Sequence, residues 1–218
     1  STRVLTLFPY TTLFRSAAAL PGNLQTQQDL AISLDKVGAG LKAADPQAAQ
    51  KLFTEALTIS RTLAAALPGN LQTQRDLAVS LDRVGVGVSG VDPQAAQELF
   101  TEALTIRRTL AAALPGNLQT QRDLAVSLDR VGVGVSGVDP QAAQELFTEA
   151  LTIRRTLAAA LPGNLQTQRD LAVSLDRVGV GVSGVDPQAA QELFTEALTI
   201  RRTLAAALPG NLQTQRDL

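Results

Sequence analysis

Apolar residues between positions 93 and 114 recur at spacings of three and four: Ala96, Leu99, Phe100, Ala103, Leu104, Ile106, Leu110, Ala111 and Leu114. This spacing is typical of an amphipathic α-helix that buries one face. Asp92 and Pro93 stand at its start, as an N-cap residue followed by proline in the first helical turn. Pro115 and Gly116 follow its end, where proline cannot extend the hydrogen-bond ladder. The pattern predicts a helix over residues 93–114.

A second apolar stripe precedes it and consists of Leu77, Ala78, Leu81, Val84, Gly85 and Val88. Asn70 can cap the start of this helix, but residues 73–76 also fit a capping box, so two starts are open. Residues 84–90, VGVGVSG, alternate as a strand does, and each glycine in a helix costs roughly 1 kcal/mol relative to alanine. The related stretch VGAGLKAA at residues 37–44 favours a helix. We therefore predict a helix with a frayed last turn.

The two predicted helices form a unit that repeats with a period of 47 residues. Residues 67–113 return unchanged as residues 114–160 and 161–207, after a diverged copy at 20–66 and before a partial one at 208–218. A fixed period in the range of about 20–50 residues indicates a solenoid, in which each unit buries its apolar face against its neighbours. The chain is therefore predicted to be all-α, with residues 17–218 as a single repeat array.

The unit resembles a tetratricopeptide repeat in the order of its residues, which are Val84-Gly85, Ala96, Phe100, Ala103-Leu104 and Pro115. That family has repeats of about 34 residues, and here each helix is about two turns longer. The first helix also lacks the family's usual tryptophan and tyrosine. The resemblance implies a right-handed solenoid of antiparallel helix–turn–helix repeats, in which Gly85 lets the paired helix approach and Phe100 fills the gap between helices.

The resemblance also implies a function, which is to bind a peptide or partner helix on the concave face lined by the first helix of each repeat. The predicted binding residues are Arg75, Val79, Asp82, Val86, Arg122, Val126, Asp129, Val133, Arg169, Val173, Asp176 and Val180. The diverged first unit offers Gln28, Ile32, Asp35, Ala39 and Lys42 instead. Two alternatives stay open: these are ordinary solvated helix residues, or the array is a structural spacer or self-associating segment with no ligand of its own.

Composition narrows the chemistry. Cysteine and histidine are absent, which excludes thiol, disulfide and histidine-based mechanisms and the usual zinc ligands. Glu98 and Glu102 lie one helical turn apart without apolar enclosure, so we expect no enzyme, cofactor or metal site. The net charge of −1 and the lack of a basic unit exclude nucleic acid as a partner. No apolar run is long enough to cross a membrane, and the absence of a targeting segment favours the cytoplasm.

The ends of the sequence differ from the repeat. Residues 6–16, TLFPYTTLFRS, resemble the translation of a sequencing-library adapter, so we expect residues 1–16 to be non-native and without a stable element. Together with the partial last unit, this predicts a fragment of a longer reading frame. Residues 208–218 are too few for a stable helix, so the apolar stripe of residues 193–208 is expected to stay partly open. Head-to-tail self-association through this end is the corresponding prediction.

Overall fold

The computed structural model describes residues 23–207. Within this range the chain forms eight α-helices. They are α1 Leu24–Leu41, α2 Pro46–Ala66, α3 Leu71–Val88, α4 Pro93–Ala113, α5 Leu118–Val135, α6 Pro140–Ala160, α7 Leu165–Val182 and α8 Pro187–Ala207. The all-α prediction of repeated helix–turn–helix units is confirmed. The predictions made for residues 1–16 and 208–218 lie outside the described residues.

The helices begin where local capping chemistry places them. The Asn70 side chain accepts hydrogen bonds from the backbone N–H groups of Gln72 and Thr73, at 3.0 and 3.1 Å. Helix α3 therefore begins at Leu71, directly after the Asn70 cap, and not at the capping box that begins with Thr73. In the second helices, Asp139 accepts from the backbone N–H of Ala142 at 2.9 Å. Each cap satisfies one or two of the donors that the first turn of a helix leaves without a partner.

The valine- and glycine-rich segment of α3 is helical as far as Val88, which confirms the helical interpretation of its sequence. The backbone carbonyl of Val88 then accepts hydrogen bonds from the N–H groups of Val91 and Asp92, at 2.9 and 2.7 Å. These bonds close a tight turn, and Asp92 is at once available to cap α4, where it accepts from the N–H of Ala95 at 3.0 Å. Successive helices are thus joined by short turns.

The chain divides into two compact units, Ser1–Ile106 and Arg107–Leu218, called unit 1 and unit 2 below. In unit 1, α1 packs on α2 and α2 on α3, around a core that contains Leu57, Leu77 and Leu81. In unit 2, α5 packs on α6, α6 on α7 and α7 on α8. Its core contains Leu151 and Leu175. The single-array division of the sequence stays a prediction.

Each helix pair is closed by a glycine on the first helix and a phenylalanine on the second. The pairs are Gly38 with Phe53, Gly85 with Phe100, Gly132 with Phe147 and Gly179 with Phe194. A Cβ atom added to Gly85 would lie 2.5 Å from the Phe100 ring, and the same distance is 2.6 Å in the other three pairs. The ring therefore lies against the glycine backbone. This confirms the predicted close approach of the paired helix at Gly85, and it is the Phe100 ring that makes the contact.

The last described helix, α8, was predicted to leave part of its apolar stripe open. Ala197 and Leu204 are buried, whereas Leu193 and Ile200 are half-buried. Residue 208, the remaining member of that stripe, lies outside the described residues. No helix within residues 23–207 combines the length and the apolar character that crossing a membrane requires.

Candidate functional site

The predicted binding residues lie on three first helices. Arg75, Val79, Asp82 and Val86 belong to α3 in unit 1, and the remaining eight belong to α5 and α7 in unit 2. Their spacing of four, three and four residues places each set along one side of its helix. Val126, Val133, Val173 and Val180 are between 37% and 67% exposed. These four residues are called the valine face below.

Two ion pairs connect the helices that carry the valine face. The Arg122 guanidinium on α5 lies 3.3 Å from the Asp170 carboxylate on α7. Further along the same two helices, Arg177 lies 2.8 Å from Asp129. In sequence, Val126 falls between the two α5 members of these pairs. The structure thus brings α5 and α7 together, with exposed valines near the two ion pairs that connect them.

Asp129 lies deeper than the other charged residues of the predicted site. It is 8% exposed, and its Oδ2 also contacts the Arg154 guanidinium of α6 at 2.5 Å. Arg154 donates a further hydrogen bond to the hydroxyl of Ser174 on α7. One buried carboxylate therefore links α5, α6 and α7. Asp176 is similarly paired with an arginine of α8, Arg201.

Sequence reasoning did not identify these second-helix arginines. Their positions, residues 107, 154 and 201, carry an indication that could have been used. Arg154 stands between Leu151 and Ala158 at spacings of three and four, on the buried side of an amphipathic helix. A charged residue in that stripe needs a charged or polar partner, since burying an isolated charge is strongly unfavourable.

Unit 1 differs from unit 2 at this position, because residue 60 is serine where the repeats have arginine. The hydroxyl oxygens of Ser60 and Ser80 lie 3.0 Å apart and share a hydrogen bond. Beside them lies a cavity of about 210 Å³, called the Ser60 cavity below. Its lining comes from α1, α2 and α3, and includes Ile32, Asp35 and Val79. With Gln28, which also lines the cavity, four of the binding residues predicted from the sequence meet here.

Asp35 is a largely buried charged group of this cavity, with a side chain that is 16% exposed. Its Oδ2 lies 2.8 Å from the Arg83 guanidinium, and its buried Oδ1 accepts no hydrogen bond within the described part of the chain. Burial raises the pKa of the Asp35 carboxyl above its ordinary value of 3.8, and the neighbouring Arg83 charge opposes that change. Arg83 also lies over the Phe53 ring, 5.8 Å from its centroid.

The carboxylates considered for acid–base chemistry lie in ordinary surface pairs. Glu102 lies 2.6 Å from Arg61, and both side chains are about half exposed. Glu98 accepts a hydrogen bond from Gln94 at 3.3 Å, one helical turn away. Across residues 23–207, no three acidic, histidine or cysteine side chains are grouped closely enough to hold a metal ion.

Comparisons with known proteins give little beyond this geometry. No protein-family model matches the chain, and no curated protein matches it. One matching solved structure is the crystal structure of a de novo designed helical repeat protein. It is 13% identical, with a TM-score of 0.42, over 96% of this chain and 98% of the designed one. No function is transferred from a likeness at this level.

Proposed function

We propose that the protein is an interaction scaffold that binds a peptide segment of a partner protein along the valine face. The observation that supports this is the repetition of exposed valines at equivalent positions of α5 and α7. An apolar strip that recurs in register offers a binding surface, because its burial is favourable for any partner with apolar side chains. Binding by the first helices is also what the resemblance to tetratricopeptide repeats implies.

The two ion pairs beside the valine face favour a peptide that carries charges of both signs. The Arg122–Asp170 and Asp129–Arg177 pairs carry both signs of charge close to the valines. A partner segment with apolar side chains and interspersed charges of both signs fits such a surface, since like charges brought together are unfavourable. We therefore propose a mixed-charge amphipathic peptide, either extended or helical, and no enzymatic activity.

The proposal is tested by selecting peptides from a random library on the immobilised chain and then replacing valines. Val126→Ser with Val173→Ser should weaken selected peptides by at least about tenfold, a loss of about 1.4 kcal/mol. The matched control is Val138→Ser with Val185→Ser. Those valines are 90% and 91% exposed but lie in turns outside the valine face. Circular dichroism confirms that both variants are folded.

A structural spacer is the competing function, and the same experiment separates the two. A spacer yields no selected peptide, or yields peptides whose affinity is insensitive to the valine substitutions. Equal losses in the test and control variants would also contradict the proposal, because they would show non-specific adsorption to exposed apolar residues.

A further inference from the structure

The Ser60 cavity lies where unit 2 has an arginine side chain. Residue 60 corresponds to residue 154 after two periods of the repeat, and the neighbouring residues correspond as well. These pairs of positions are Asp35 and Asp129, Ser80 and Ser174, and Arg83 and Arg177. In unit 2 the Arg154 guanidinium contacts both Asp129 and Ser174. Unit 1 retains the carboxylate and the hydroxyl but lacks the guanidinium.

The charges around the Ser60 cavity also favour a cationic ligand. Unit 2 has Arg122 beside Asp170, whereas unit 1 has the neutral Gln28, whose amide donates to Asp76 at 3.1 Å. With Ser60, this makes two arginines of unit 2 that are replaced by neutral residues in unit 1, while both acidic partners are kept. Lys36 and Arg83 are the basic residues among those that line the cavity. The site therefore has two positive charges fewer than its equivalent.

The cavity also has the size and the polar groups that a ligand needs. Its volume of about 210 Å³ greatly exceeds the roughly 10–15 Å³ in which one water molecule fits. Asp35 Oδ2 is paired with Arg83 as Asp129 Oδ2 is paired with Arg177, and the buried Oδ1 atoms of both aspartates accept no hydrogen bond within residues 23–207. The apolar part of the lining comes from Ile32, Val79 and Leu63. A polar end beside an apolar wall suits a ligand with a cationic head and a hydrocarbon stem.

We propose that the Ser60 cavity binds an alkylguanidinium group, namely the side chain of an arginine that a partner peptide presents. The guanidinium would donate to Asp35 and Ser80, as Arg154 does to their equivalents in unit 2. The stem would lie against Ile32 and Val79, which correspond to Val126 and Val173 of the valine face. Only the source of the arginine rests on the proposed function, because the site itself can be probed with a small cation.

The probe is methylguanidinium, added at low millimolar concentration to ¹⁵N-labelled protein and followed by NMR. Saturable shifts are expected at the amides of Asp35, Ser60 and Ser80. Methylammonium carries the same charge without the planar donor array that can contact a carboxylate and a hydroxyl together. It should bind at least about tenfold more weakly. Equal binding of the two cations would overturn the assignment to guanidinium.

Variants then locate the site. Ser60→Arg places into the cavity the arginine side chain that the later repeats carry at this position, and it should abolish binding. Asp35→Asn removes the negative charge with almost no change of shape, and it should also abolish binding. Asp29→Asn is the matched control, because Asp29 is exposed on the same helix and pairs with Gln25. It should leave binding unchanged. Methylguanidinium shifts that persist in both folded cavity variants would overturn the proposal.

The reverse variant tests the equivalence of the two units. Arg154→Ser should open a matching cavity in unit 2 and raise the number of bound methylguanidinium ions from one to two, measured by calorimetry. Methylguanidinium should also recover part of the stability that this variant loses. A folded Arg154→Ser variant that binds no second ion would contradict the equivalence on which the proposal is based.

Peptide selection separates this inference from the proposed function. If methylguanidinium binds and no peptide is selected, the guanidinium site stands and the scaffold function is wrong. If selected peptides bind but methylguanidinium does not, the scaffold function stands and the guanidinium site is wrong. Where both bind, replacing each arginine of a selected peptide by citrulline should weaken it by at least about tenfold. This loss should disappear in Ser60→Arg.

Discussion

Two glycines of α1, two residues apart, measure how closely α1 and α2 approach. An alanine Cβ at residue 38 would lie 2.6 Å from the Phe53 ring, whereas nothing lies within 4 Å of the corresponding position at residue 40. Gly38→Ala should therefore destabilise the protein by about 1–3 kcal/mol, as overpacking does. Gly40→Ala should stabilise it by up to about 1 kcal/mol, because alanine is the better helix former.

Urea unfolding, followed by circular dichroism, gives both free energies, and the two variants control for each other. Phe53→Ala should cancel most of the penalty at residue 38 if the ring is its cause. A Gly38→Ala protein as stable as the wild type would mean that the ring moves aside freely, which contradicts the close packing described above.

Arg154 and Arg155 are adjacent in α6 but differ in their surroundings. The Arg154 side chain is 8% exposed and contacts Asp129, whereas the Arg155 side chain is 50% exposed and lies 2.6 Å from Glu196. Arg154→Met should lower the free energy of unfolding by up to about 3–5 kcal/mol, since it removes one partner of a buried ion pair. Arg155→Met should lower it by less than about 1 kcal/mol.

The same measurement compares these two substitutions directly, because methionine and arginine have similar helix propensities. Similar losses at the two positions would show that the buried pair contributes no more than a surface pair. Adding Asp129→Asn to Arg154→Met should restore part of the stability, because in Arg154→Met the buried Asp129 charge keeps its contact with Arg177 but loses its contact with residue 154.

The contacts of individual side chains were the features that the sequence predicted least well. It predicted Asp129 as part of a charged binding surface, but the partners of Asp129 are 25 and 48 residues away. Pairing it with Arg154 and Arg177 requires the register of three helices, which the helical period alone does not give. The change from arginine to serine at residue 60 is visible in the sequence. Its consequence, a cavity beside Asp35, depends on the same register.

At the scale of elements, helix starts depend on single caps. Asp139 accepts a hydrogen bond from the backbone N–H of Ala142 at 2.9 Å, and Pro140 follows it in the first turn of α6. Asp139→Ala should lower the free energy of unfolding by about 1 kcal/mol, because a donor of the first turn loses its acceptor. Asp139→Asn is the control and should retain most of the stability, since asparagine caps as well as aspartate. A loss of equal size in both variants would point to the charge of Asp139 and not to its cap.

The elements themselves could be predicted well, because the information that defines them is local. The capping residues act within one turn of their own positions, as Asn70 and Asp92 do. Helix α4 ends at Ala113, one residue before its predicted end. The ambiguous valine- and glycine-rich segment was resolved by its diverged copy, residues 37–44. The sequence did not resolve whether Asn70 or Thr73 caps the helix, since both fit a known capping pattern.

At the scale of the whole molecule, a helical repeat architecture predicts that the stability of each helix depends mainly on the helices that it packs against. Stability in such arrays is approximately a sum of unit and nearest-neighbour terms, and the chain forms two compact units. Phe53→Ala should therefore increase amide hydrogen exchange in α1 and α2 of unit 1. Phe194→Ala, which removes the ring beside Gly179 in unit 2, should leave exchange in α1 and α2 unchanged.

Mass spectrometry can make this distinction for peptides that span a position at which α1 or α2 differs from every later repeat, such as Ile32 in α1 and Lys51 or Ser60 in α2. Peptides from the identical repeats report on residues 67–207 together and should lose protection in Phe194→Ala. Exchange in α1 and α2 serves as the internal reference, since local opening is governed by the contacts that an element makes with its neighbours. If Phe194→Ala increased exchange in α1 and α2 as much as Phe53→Ala does, the two units would unfold as one cooperative block. Stability would then be a property of the whole chain, and the additive description of its repeats would be wrong.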